Sequence, residues 1–194
     1  MAQANGSVKA ALSYLDSHLS SFQDQLVALS RIPGVSAEPA PNEHLRRSAE
    51  ATAEVMRAAG IENVQILEIE GVHPYVYGDW LKKPGAPTIL LYGHHDVQPP
   101  GRPEKWVSPA YEPTVRNGRL YGRGTADSKS NILMHVGALR AWGGKPPVGI
   151  KIAGPDLDVI QHIGEQVEQA LGRLPETRSV FAERVSAGRY VKIT

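Results

Sequence analysis

The chain has 194 residues, 41% hydrophobic and 21% charged, enough apolar content for one sizeable core or two small ones and the wrong composition for a collagenous, coiled-coil or wholly disordered chain. A formal net charge of +1 gives no field to draw the molecule to nucleic acid or an anionic membrane. The absence of cysteine excludes a disulfide framework, a thiolate nucleophile and a Cys-based zinc site, so any metal must rest on His and carboxylates.

Val8, Leu12, Leu15, Leu19, Phe22, Leu26 and Leu29 recur at steps of four and three, which predicts one amphipathic helix with Ser7 as its N-cap, ending before Pro33. Residues 39–42 read as a loop. A second helix is expected from Glu43 to Ala59, with Leu45, Ala49, Val55, Met56 and Ala59 on one side and Gly60 as the left-handed cap. Val64 to Ile69 and Tyr75 to Tyr77 are β-rich, and Thr88 to Tyr92 is a continuous apolar run of the kind that fills the centre of a sheet. Residues 98–118 read as a long surface loop carrying Trp106 and Tyr111. A helix is expected from about Lys129 to Trp142.

Beyond Gly143 the pattern changes to a strand at Gly149 to Ala153, a helix at Asp156 to Leu171, a strand at Ser179 to Val185 and a last strand at Tyr190 to Ile193. This is a β-α-β-β unit that is expected to be cut short at Thr194. The start of the chain lacks an uninterrupted apolar leader, and no run is long enough to span a bilayer, so a cytoplasmic protein is expected.

Chemistry concentrates directly after the apolar run, at Gly93-His94-His95-Asp96, where open α/β sheets place ligands beyond the carboxyl ends of their strands. His94 can present one ring nitrogen to an ion while a carboxylate at the other nitrogen, Asp96, fixes its tautomer. Asp127, on a second turn before a helix, can offer a carboxylate oxygen to the same ion or bridge two. Two ions roughly 3.5–4 Å apart polarise a carbonyl and generate hydroxide at neutral pH. On spacing alone a second reading stands beside this one, in which His94 and Asp96 only hydrogen-bond loop backbone.

The run Leu90-Leu-Tyr-Gly-His-His-Asp-Val-Gln-Pro-Pro100, then Trp106, Ser108-Pro109, Gly118-Arg-Leu-Tyr-Gly-Arg-Gly-Thr-Ala-Asp127 and Lys129, resembles the M20 family of zinc metallopeptidases, in particular its dipeptidase-like members. Leu26 to Ala37 and Val76 to Trp80 look similar too, so the resemblance covers roughly residues 8–152. It implies a two-zinc hydrolase of peptide or amide bonds, acting on a dipeptide or acyl-amino acid, on an α/β domain with helices packed on a mixed sheet. It further implies His94 as a zinc ligand, Asp127 as the carboxylate bridging both zincs and Asp96 as the supporting acid behind His94. A homo-oligomer would fit. The sequence departs from the family after Ile152. Where the family carries an adjacent Glu pair for the general base and a zinc ligand, this chain has Ala153-Gly-Pro-Asp-Leu-Asp-Val159. Asp158 falls near the base position, but Val159 cannot bind metal, so weak or partial zinc binding and little turnover are expected. Ser130 stands where the family usually has glycine.

Pro147 to Leu157, Arg178 to Val185 and Gly188 to Val191 resemble the porter region of heavy-metal efflux pumps of the resistance-nodulation-division class, whose subdomains are ferredoxin-like β-α-β units. The expected organisation is a partial M20-like domain over residues 1–146 and a porter-like fragment over 147–194, a hybrid without a membrane segment. That gives a second functional reading, a non-catalytic binding module. The remaining polar residues have plainer readings. His95 is a packing or substrate-side residue, His18 and His44 face solvent, and His135 and His162 are surface or packing residues. Arg123 braces the turn that holds Asp127, and Trp80 and Trp106 are packing anchors.

Overall fold

The computed structural model describes residues 2–142 and 149–153 apart from 83 and 87, all within one compact unit that spans 1–154. The expected helix and two strands beyond residue 154 lie outside the described residues.

The apolar stripe of the first 30 residues forms two helices, α1 (Ala2–Ser17) and α2 (Leu19–Ser30), where one was expected. The break falls at His18 (φ −116°, ψ 9°). There Ser17 Oγ donates to the Tyr14 carbonyl at 2.9 Å, and the His18 ring nitrogen Nδ1 approaches the same oxygen at 2.8 Å. These side chains compete for the carbonyl that the next helical turn would use. Ser7 therefore lies inside α1.

Helix α3 (Glu43–Ala58) starts where expected because Asn42, in an extended conformation, accepts from the His44 and Leu45 amides at 2.9 and 3.1 Å. Leu45, Ser48, Ala49, Thr52, Ala53 and Met56 form its buried side, the three-and-four spacing of a single face. Gly60, at φ +80°, turns the chain out of the helix and towards the first strand.

The main sheet is mixed and runs in the order β1 (Glu62–Leu67), β2 (Tyr75–Trp80), β6 (Gly149–Ala153), β3 (Thr88–Tyr92). β1 with β2 and β2 with β6 are antiparallel, whereas β3 and β6 are parallel, with Thr88 opposite Gly149 and Tyr92 opposite Ala153. The return from β3 to β6 includes α4 (Ser130–Ala141), a helical crossover of the kind parallel strands need. Among the described residues β3 is an edge strand, not the centre of the sheet. Ile89, Leu90 and Tyr92 are each about 40% exposed, and β6 takes the interior position.

The core lies between α3, α4 and the β1–β2 side of the sheet. Ala49, Ala53, Met56, Ala59, Ile61, Val76, Val136 and Leu139 pack as one buried cluster. Small residues on α3 let it approach the sheet closely. At Gly78 of β2 an added Cβ would lie 2.7 Å from Ile61 Cγ2 and 2.8 Å from Met56 Cε, closer than real side chains come. Residues 98–118 are less featureless than expected. A short 3₁₀ turn (Pro103–Lys105) is followed by β4 (Thr114–Arg116), which pairs with β5 (Arg119–Tyr121) through a two-residue turn. That turn is Asn117-Gly118, both at positive φ, the pair that suits a tight hairpin.

Candidate metal centre

β3 ends at Tyr92, and the next residues pass over the start of α4. Gly93 is buried there, and a Cβ on it would sit 3.1 Å from Ile132 Cγ1, so only a bare backbone makes the approach comfortably. The segment is then pinned to the connection between α2 and α3. The Val97 amide donates to the Gly34 carbonyl at 2.8 Å, and the Ser36 amide donates to the Val97 carbonyl at 3.2 Å. Ser48 of α3 adds a hydrogen bond to the His95 carbonyl at 2.7 Å.

The second half of the site is a kinked turn, Thr125–Lys129, that precedes α4. Asp127 (φ −123°, ψ 96°) and Ser128 (φ −135°, ψ 23°) leave helical geometry, and this aims the Asp127 carboxylate back over the end of β3. Gly124, at φ +82°, allows the entry to the turn.

All three expected site residues meet here. His94 Nε2 lies 2.8 Å from Asp127 Oδ1, while Nδ1 lies 3.1 Å from Asp96 Oδ1 and 3.2 Å from the Asp96 carbonyl oxygen. Burial works to lower the His94 pKa, but the carboxylates on its two sides outweigh that and push it up to about 9. The ring therefore carries both protons and donates on both sides. Burial likewise works to raise Asp96. His94 and Ser36 more than offset it and hold the carboxyl below its usual range. Asp96 is mostly buried, with a side chain 13% exposed, whereas that of Asp127 is 86% exposed. Tyr92 is pushed up to about 12, by burial first and then by the charges of Asp96 and Asp127.

His95 points the other way, into the packing. It is 2% exposed, its Nε2–H donates to the Pro74 carbonyl at 3.0 Å, and burial lowers it to about 4, so the ring is neutral. His18 and His44 are exposed, and His135 lies 3.1 Å through Nε2 from the Tyr92 carbonyl. Arg123 donates to the Pro99 carbonyl at 3.1 Å and lies over the Trp106 ring, bracing the loop by a backbone contact and a cation–π contact. Trp106 donates in turn to the Pro100 carbonyl at 2.8 Å, and Trp80 is buried in β2. His162 and Asp158 lie outside the described residues.

Two residues that sequence reasoning left unassigned support the site from behind. Ser128, 3% exposed, accepts the His94 N–H at 3.1 Å. Lys129, 1% exposed, donates through Nζ to the Leu29 carbonyl at 2.7 Å and the Ile32 carbonyl at 3.0 Å, at the end of α2. Burial pushes its ammonium down to about 8, with the Asp96 charge acting in the opposite sense. Its place two residues after Asp127 was the available signal.

The residues from the end of β3 to the end of β6 match a known family. Residues 90–154 fit the model of Peptidase family M20/M25/M40. The N-terminal part of the chain is similar in sequence to M20 peptidases. It is 42% identical over 91 residues to a cysteinylglycine-S-conjugate dipeptidase of Corynebacterium striatum, a match that covers 46% of this chain and 19% of that protein. It is 41% identical over 88 residues to a succinyl-diaminopimelate desuccinylase of Xanthomonas euvesicatoria, covering 44% of this chain and 22% of that protein. Among solved structures, human carnosine dipeptidase 1 superposes with a TM-score of 0.72 at 26% identity, over 85% of this chain and 38% of the other. The matches thus span well under half the length of these M20 relatives. The mixed α/β arrangement is that of the M20 catalytic domain.

The M20 family implies a divalent metal, usually zinc. An imidazole nitrogen and a carboxylate oxygen that converge to 2.8 Å are donors zinc accepts, so His94 and Asp127 fit one side of such a centre. Among the described residues no group of three or more His, Asp or Glu is placed to hold an ion. Metal binding at His94 must also displace the proton on Nε2.

Proposed function

We propose that the chain carries one side of the metal centre of a metal-dependent hydrolase of peptide or amide bonds, with His94 and Asp127 as zinc ligands, Asp127 the bridge in a two-ion centre, and Asp96 the acid that orients His94. The observation that carries this is the file Asp96, His94, Asp127, in which both imidazole nitrogens face carboxylates within a segment of M20 sequence. When bound, zinc supplies a Lewis acid for the scissile carbonyl. Asp96 holds the imidazole through Nδ1, which leaves Nε2 for the ion, and the exposed Asp127 carboxylate is free to turn to it.

The substrate class is a dipeptide or an acyl-amino acid, supported by the dipeptidase and desuccinylase names of the relatives. Turnover by this chain alone is expected to be low or nil. Two protein ligands are fewer than the roughly four of a stable zinc site. The sequence from Ala153 to Val159 also lacks the Glu pair, and with it a proton shuttle worth ~10²–10⁴ in rate. The porter-like reading of residues 147–194, and with it the hybrid binding module, rests on the sequence resemblance alone. The cytoplasmic location is a reading of the sequence alone, and a homo-oligomer is a reading of the M20 resemblance. Among the described residues no helix is long and apolar enough to cross a membrane.

Zinc stoichiometry on the purified chain tests the reading. The unmodified chain should take up zinc, and His94→Ala together with Asp127→Ala should abolish uptake. An unmodified chain that takes up none refutes it.

A further inference from the structure

The turn that bears Asp127 is fixed at two buried points while its carboxylate stands in solvent. On one side Ser128 Oγ accepts the His94 N–H at 3.1 Å. On the other, Lys129 Nζ reaches back 100 residues to the Leu29 carbonyl, and the Lys129 amide donates to the Gly124 carbonyl at 3.1 Å. The Ser128 contact joins the two halves of the site directly. It closes a small ring that runs from the His94 amide through Ser128 Oγ and the Ser128 backbone to Asp127, across the carboxylate to His94 Nε2, and back through the imidazole. Two atoms set 2.8 Å apart across such a ring depend on the short link behind them more than on the distant sheet. Gly93 contributes by letting the backbone run close above the turn, with its Cβ direction 3.8 Å from the same Oγ.

We propose that Ser128 is a positioning residue, whose hydroxyl clips the His94 backbone to the Asp127 turn and thereby sets the two side chains face to face. The consequence for metal binding rests on the reading of His94 and Asp127 as ligands. The clip itself does not. A residue that merely satisfied a buried amide would affect stability and leave the relation between the two side chains unchanged.

The experiment compares the full chain with Ser128→Ala and Ser128→Thr, the second of which keeps the hydroxyl. Three quantities are read: exchange of the His94 amide, the ¹⁵N signals of the His94 ring, and affinity for Co(II) by its visible absorption. In Ser128→Ala the His94 amide should exchange about tenfold faster. The Nε2 signal should move towards that of a free imidazole, and Co(II) affinity should fall about 10- to 100-fold, the usual loss when a partner behind a ligand is removed. Ser128→Thr should restore all three. A Ser128→Ala variant that keeps the ring signals and the Co(II) affinity of the unmodified chain overturns the inference, whatever its stability. If the unmodified chain binds no Co(II), the metal reading fails and the ring signals alone decide the clip. Should the alanine variant not fold, Ser128→Gly, which also removes the hydroxyl and adds no metal donor, gives the same readings.

Discussion

Replacing Gly124 by alanine tests how tightly the two halves of the site are packed together. The residue sits at φ +82°, and an added Cβ would stand 2.6 Å from Val97 Cγ1, one position beyond Asp96, and 3.4 Å from Lys129 Cδ. Two costs follow. A non-glycine residue in the left-handed region costs roughly 1–2 kcal/mol. Forcing a methyl into a filled space costs about 1–3 kcal/mol more, since Val97 is 1% exposed and has little room to retreat. The expected destabilisation is therefore about 2–5 kcal/mol, read as a fall of about 1–2.5 M in the urea midpoint for a slope of about 2 kcal/mol/M. Gly118→Ala provides the comparison, because Gly118 has φ +71° and nothing within 4 Å of its Cβ position, so only the backbone cost applies. Repeating Gly124→Ala in a Val97→Ala background should reduce its cost to that of Gly118→Ala. If Gly124→Ala costs no more than Gly118→Ala, or if the Val97→Ala background leaves its cost unchanged, the contact does not hold the site as argued.

Gly78→Ala should destabilise by about 1–3 kcal/mol in the same assay, because its methyl would lie within 3 Å of both Ile61 and Met56 in the core cluster. Asn42→Ala should cost about 1 kcal/mol by removing the acceptor for the His44 and Leu45 amides, and Asn42→Asp should retain most of the stability. Arg46→Ala should change the urea midpoint little. Its ion pairs with Glu50 and Glu68 lie among half-exposed side chains, where each pair contributes about 0–1 kcal/mol.

The grouping of the candidate site residues was legible because their signals are local in sequence. Gly-His-x-Asp after an apolar run, and an Asp before a helix, carry their meaning in adjacent residues, and the structure brings His94, Asp96 and Asp127 together. What sequence reasoning missed depends on partners far along the chain. Lys129 looks like any helix-start lysine until the Leu29 and Ile32 carbonyls are seen within reach of its Nζ. Ser128 gains its role only once β3 ends beside it. The edge position of β3 was hidden for a similar reason, since an unbroken apolar run does not say which strand lies beside it. The break at His18 and the hairpin at Asn117-Gly118 had local signals. A Ser-His pair able to bond the preceding turn marks the first, and an Asn-Gly dipeptide between short β-prone runs marks the second.

The sheet order carries a consequence for how the molecule is made. Among the described residues β6 is the last strand of the sheet to leave the ribosome, yet it takes the place between β2 and β3. Until residue 153 has emerged, β1 and β2 can form only a hairpin, and β3 has no neighbour in the sheet. The nascent chain must therefore keep two open edges apart across more than fifty residues of synthesis, and the His94 end of β3 settles only when β6 slides between them. A stalled or nicked chain that ends before β6 would present both edges at once, and such edges pair with whatever strand they meet.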